Sequence, residues 1–148
     1  MTSTKRLRAS AVCEAEGHLL VVRLRDPSSG VEAVYPPGGG VEPGEVPAET
    51  ARRETLEETG IRVRIHPHLE LVETYPFVWA GVDYEVTTHY FAASVVGAFD
   101  RTIAPVIDAD YNLGAAWLPT EEALEAMAVH PDIASAVSRV LRLASAQS

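Results

Sequence analysis

Residues 39–61 read GGVEPGEVPAETARRETLEETGI, from Gly39 to Ile61. Pro47 suits the first helical position, Ala48 to Thr59 contains no breaker, and Gly60 supplies the left-handed residue that ends many helices. The spacing therefore predicts a helix over 47–59. On it Glu54, Glu57 and Glu58 stand at i, i+3 and i+4, which confines three carboxylates to an arc of about 100°. Their repulsion costs a few tenths of a kcal/mol per exposed pair, and more where the groups are desolvated. A divalent cation removes that cost. Hard cations want oxygen ligands, and Mg²⁺ takes a few carboxylates, keeps waters and fills its remaining sites with phosphate oxygens. Ala48, Ala51 and Thr55 are small and let the helix approach a sheet closely, with Leu56 on the other flank. Glu49 with Arg53, and Arg53 with Glu57, are spaced as i,i+4 ion pairs.

Working outward, Leu7 to Ala15 and His18 to Arg25 are apolar or alternating runs separated by Glu16-Gly17, the pattern of a hairpin. Val31 to Tyr35 is a short strand, and Pro36-Pro37-Gly38-Gly39-Gly40 reads as an irregular turn whose carbonyls can point inward. Beyond the helix, Arg62 to Glu73 and Tyr84 to Val96 read as strands, with Tyr75-Pro76-Phe77-Val78-Trp79 in the connection. A short strand at Ala115 to Leu118 precedes a helix from Glu121 to about Ala128. A last helix from Asp132 carries Ile133, Val137, Val140 and Leu141 on one face. The order β-β-β-α-β-β-β-α-α implies an α/β (α+β) fold, a mixed sheet covered by helices.

The segment from Gly39 resembles the signature box of the Nudix, or MutT-like, hydrolase family. Gly39, five residues, Glu45, seven residues, Arg53-Glu54, two residues, Glu57-Glu58, one residue and Gly60 match all seven fixed positions, with Ile61 at the closing aliphatic one. With residue frequencies near 7%, chance agreement is on the order of one in a million. Thr55 departs from the pattern, standing where the family usually has an aliphatic side chain. Trp117-Leu118-Pro119 before an acidic helix also resembles the family, so the likeness covers most of the chain.

The resemblance implies an α/β/α sandwich around a central mixed sheet, and a Mg²⁺-dependent hydrolase, with Mn²⁺ a substitute. Its bond would be a diphosphate linkage in a nucleoside diphosphate joined to another moiety: a nucleoside triphosphate, ADP-ribose, nucleotide sugar or dinucleoside polyphosphate. It further implies Glu57 and Glu58 as principal metal ligands, Glu54 as a ligand or the base, and Gly38 or Gly39 as a carbonyl ligand. Arg53 would orient the glutamates, Glu45 would support the loop or outer metal shell, and Gly60 would be structural. Some members recruit a later acid as base, and Asp108 and Asp110 are the candidates, Asp110 the one retained. Isopentenyl diphosphate isomerase, a different enzyme class on this fold, uses a catalytic cysteine, and Cys13 sits too early. A nucleotide-sensing module that keeps the fold without the chemistry is the non-catalytic alternative, but such modules commonly lose box glutamates that are all present here.

Substrate choice lies outside the box. Tyr75, Phe77 and Trp79 are candidates for stacking a base, and Arg23 and Arg25 for contacting a phosphate or ribose. Pro76, fifteen residues beyond Ile61, resembles a marker of ADP-ribose-cleaving relatives but is also ordinary turn chemistry.

The whole composition fits this picture. At 148 residues the chain suits one domain over 1–148. With 21 acidic against 12 basic residues its net charge is −9, which opposes extended nucleic acid as a partner and leaves a small phosphorylated molecule held through metal. The single cysteine, Cys13, reads as a core residue and agrees with the cytoplasm, and no apolar run reaches the roughly 20 residues of a membrane span. The sequence leaves a homodimer open.

Overall fold

The computed structural model describes residues 3–103 and 111–147. In chain order the elements are β1 (Thr4–Ala15), β2 (His18–Arg25), β3 (Glu32–Tyr35), β4 (Gly38–Gly40), α1 (Pro47–Thr59), β5 (Val63–Trp79), β6 (Val82–Val95), β7 (Asn112–Pro119), α2 (Thr120–Met127) and α3 (Pro131–Ala146). The β1–β2 turn places Glu16 and Gly17 at φ 48° and 75°, the two-residue geometry whose twist matches the flanking strands. These strands then pair only at Glu14–Leu19 and Ala15–His18 before they part. Beyond the parting, β1 lies between β6, parallel to it, and β4, antiparallel to it, while β2 lies between β3 and β7. The result is a mixed sheet that splits into two halves, with a wedge of space between them.

Strand alternation sorts side chains into two layers. Ala9, Ala11 and Cys13 of β1 join Phe91, Trp117 and Ala51 of α1 on one side of the sheet. Val12, Tyr90 and Ala92 join Met127, Ile133, Val137 and Val140 of α2 and α3 on the other. Complete burial of Val137 and Val140 contributes about 1.5–3 kcal/mol each. The architecture is thus the expected α/β/α sandwich. Cys13 is a fully buried core residue, and burial pushes its thiol up to about 12.

Two segments differ from the sequence expectation. The glycines at 38–40 extend as β4, because β1 offers them a free edge: Arg8 faces Gly40, Ala9 faces Gly39 and Ser10 faces Gly38. The aromatic run at 75–79 is the end of β5, and Ala80-Gly81, at φ 53° and 77°, makes the turn into β6. Pro76 sits opposite Glu85 on β5, an edge strand of the described sheet, which is where proline is tolerated.

Candidate active site

The α1 helix begins behind Pro47 and stops at Gly60, whose φ of 74° lets its N–H donate to the Leu56 carbonyl at 2.9 Å. Its buried face is Thr50, Ala51, Thr55 and Thr59. Hydroxyls on that face are satisfied locally: Thr55 donates to the Ala51 carbonyl at 2.7 Å and Thr59 to the Thr55 carbonyl at 2.6 Å. Thr55 therefore replaces an aliphatic side chain without leaving an unpaired polar group. Thr50 donates instead to Glu45 at 2.5 Å, tying helix to loop.

Arg53 is the hub of the acidic side. Its Nε and Nη2 donate to Glu45 at 2.8 and 3.0 Å, and Nη1 donates to Glu54 at 3.0 Å and to Glu57 at 3.3 Å. The hydrogen bonds from Arg53 and Thr50 hold the Glu45 carboxyl down at about 2. Glu49 pairs with Arg52 rather than Arg53, whose guanidinium is already committed to Glu45.

Glu54 and Glu58 face a cavity of about 340 Å³ set where the two halves of the sheet diverge. Glu57 does not line it; its side chain is 57% exposed and is held by Arg53. Gly38 donates its N–H to Glu58 at 2.8 Å. A Cβ at Gly38 would overlap the Ala9 carbonyl and Ser10, and one at Gly39 would occupy the space of the Glu54 carboxyl. Burial pushes the carboxyls of both cavity-facing glutamates up from the ordinary range, and the Glu58 carboxyl, further opposed by Glu54, reaches about 7. Two crowded, half-desolvated carboxylates are groups that a cation would stabilise. Among the described residues no three His, Cys, Asp or Glu side chains form a finished metal cage. A donor set of two carboxylates nevertheless fits Mg²⁺, which is commonly bound through one or two of them and completes its shell with waters and substrate phosphates.

The same cavity is lined by Tyr75, Phe77 and Trp79 of β5. Phe77 and Trp79 are near-parallel, 6.4 Å apart, and Phe77 also packs against His130 at 5.1 Å and Tyr35 at 6.2 Å. Tyr35 and His130 are joined by a 3.0 Å hydrogen bond, and burial raises the Tyr35 phenol to about 12 and lowers His130. Tyr75 is buried, with its hydroxyl bonded to Tyr90 at 2.7 Å and Thr88 at 3.0 Å, so it forms floor rather than a free stacking face.

Arg23 and Arg25 lie outside this cavity. Val22 and Leu24 line it, and alternation along β2 turns the arginines away; Arg25 pairs with Glu32 in an exposed bridge. The cavity's cations among the described residues are Arg6 and Arg8 of β1, which were not among the sequence candidates. Their alternation with Leu7 and Ala9 was the available signal. Asp108 and Asp110 lie outside the described residues.

A model of the NUDIX domain matches residues 4–140 of the chain. The chain belongs to the NUDIX family. Solved structures agree: a NUDIX hydrolase from Nitrosomonas europaea is 27% identical with a TM-score of 0.64, covering 92% of this chain and 88% of that one. The E. coli ORF135 protein is 25% identical with a TM-score of 0.61, over 97% and 94% of the two chains. A C. elegans Ap4A hydrolase, at 20% identity and a TM-score of 0.67 over 97% and 98%, speaks to fold alone. No curated protein matches. As a NUDIX member with all seven fixed box residues, the chain is a pyrophosphohydrolase of a family that uses divalent metals and small nucleotide substrates.

Proposed function

We propose that the chain is a Mg²⁺-dependent hydrolase that cleaves a diphosphate linkage in a nucleoside diphosphate joined to another moiety, Mn²⁺ being a substitute. The observation that carries this reading is one cavity lined both by Glu54 and Glu58 and by Phe77 and Trp79. Carboxylates suit a cation that binds phosphate oxygens, and aromatic faces suit a base. Glu58 and Glu54 would hold the cation from α1, with Glu57 joining them on release from Arg53 and a Gly38 or Gly39 carbonyl completing the donors. When bound, Mg²⁺ offsets charge on the phosphates and acidifies bound water. Arg53 keeps the glutamates in register, and Glu45 anchors Arg53 to the loop. With Glu54 among the ligands, a later acid such as Asp110 is the candidate for taking a proton from water; Glu54 would take that role only where it does not ligate the cation. A single buried cysteine agrees with a cytoplasmic enzyme.

The test is phosphate or nucleotide release from a panel of nucleoside triphosphates, oxidised nucleotides, ADP-ribose, nucleotide sugars and dinucleoside polyphosphates, with Mg²⁺ and with Mn²⁺. At least one substrate should turn over, and Glu58→Gln should lower kcat by about a hundredfold to ten-thousandfold. A folded protein inactive on the whole panel would favour the nucleotide-sensing alternative.

A further inference from the structure

Three consecutive glycines of β4 meet three different side chains. Gly38 donates its N–H to Glu58, a Cβ on Gly39 would collide with Glu54, and a Cβ on Gly40 would sit 3.3 Å from Arg6 Nη2. At roughly 3.3 Å per residue, the edge passes from acid to cation within about 7 Å. Arg8 stands opposite Gly40 in the β1–β4 register and lines the same cavity. Its positive charge acts on both Glu54 and Glu58, yet among the described residues Arg8 makes no ion pair within 4 Å. Arg6 lies over the Tyr84 ring, 5.5 Å from its centre, and likewise has no carboxylate partner among those residues.

Acidic side chains outnumber basic ones 21 to 12, yet two cavity-facing arginines are left without an ion pair. Guanidinium forks match phosphate oxygens, and an anion shared between them offsets the cost of holding like charges close together. We propose that Arg6 and Arg8 form a phosphate-chain clamp, which binds the phosphates beyond the carboxylate end and makes a nucleoside polyphosphate the preferred substrate class. The assignment rests on the hydrolase reading for the bond that breaks, but the clamp itself binds anions without metal. It is a binding and specificity element rather than part of the water-activating machinery. Nucleotides with fewer phosphates would leave one arginine unused, so discrimination should follow phosphate number.

Titration calorimetry of inorganic tripolyphosphate in chelator-treated buffer tests this directly. Wild type should bind, and Arg8→Gln should weaken binding by roughly tenfold to a hundredfold, the effect of one charge-assisted hydrogen-bonding group. Arg8→Lys should fall between them, Arg6→Gln should also weaken binding, and affinity should decline with added salt. Glu58→Gln should not weaken metal-free binding, because it removes a negative charge from the cavity. Circular dichroism of each variant shows whether it is folded, and Arg8→Lys provides a conservative replacement should Arg8→Gln not fold. The clamp is overturned if wild type shows no binding at millimolar tripolyphosphate, or if folded Arg8→Gln and Arg6→Gln both bind as wild type does. Failure of the hydrolase reading would appear separately, as metal-free binding retained without turnover on any nucleotide.

Discussion

The acidic part of the cavity lining and its aromatic and cationic part are built on different principles. On the acidic side Arg53 joins Glu45, Glu54 and Glu57, Thr50 adds a further bond to Glu45, and Gly38 fastens Glu58 through its backbone. Each carboxylate there is positioned by a group that is itself positioned. Elsewhere in the lining Phe77 and Trp79 rest on rings, and Arg6 and Arg8 make no ion pair among the described residues. The difference teaches a division of labour: a cross-tied wall suits chemistry that needs fixed oxygens, whereas side chains held by stacking can adapt to the group they receive.

Substitutions can break or sharpen that contrast. Arg53→Lys keeps the charge but cannot fork to Glu45 while reaching Glu54 and Glu57; kcat should drop by about tenfold to a hundredfold, as for lost support behind a metal ligand, with KM little changed. Steady-state kinetics on whichever nucleotide turns over would check it. In the aromatic part of the lining, Trp79→Ala should do the reverse, raising KM by roughly five- to a hundredfold for loss of a stacking face while kcat stays within a few fold. Equal effects of both variants on the same parameter would erase the contrast.

A smaller effect lies in pH dependence, where two glutamates of the acidic wall act in opposite senses. Glu45 is held near 2 against an ordinary 4.5, so its contribution to stability is present above about 4.5 and is lost as pH falls toward 2. Glu58 is raised to about 7, so the folded protein binds its proton more tightly than the unfolded chain does. Its favourable contribution is present below about 4.5 and is lost as pH rises through 7. In chelator, thermal melts should therefore show Glu58→Gln gaining stability relative to wild type between pH 5 and pH 8. Glu45→Gln should lose stability at pH 7 and converge on wild type near pH 2.

How much of this was legible in the sequence follows from the range of the interactions. Glu54, Glu57 and Glu58 could be grouped because helix geometry is local, and Pro47 and Gly60 mark the helix ends within the same segment. Spacing offered Arg53 as a partner for Glu57, but it could not show that only Glu54 and Glu58 face the cavity, since that depends on how α1 sits over β4. Arg6 and Arg8 were obscure because their setting depends on β1 pairing with β6, where Arg6 faces Val86 and Arg8 faces Thr88, about eighty residues away. Arg23 and Arg25 looked equally eligible until Val22 and Leu24 fixed which side of β2 faces the cavity. Pro76 disguised the end of β5 as a turn, because proline's preference for edge strands can be used only when the edge is known.

The central claim is that Glu54 and Glu58 hold a divalent cation at the fixed wall. It is tested most directly by titrating Mn²⁺ into the protein and following free Mn²⁺ by electron paramagnetic resonance, for wild type and Glu58→Gln. Saturable binding by wild type and at least tenfold weaker binding by the variant is the predicted result. Equal affinity in the two proteins, or none in wild type, would contradict it.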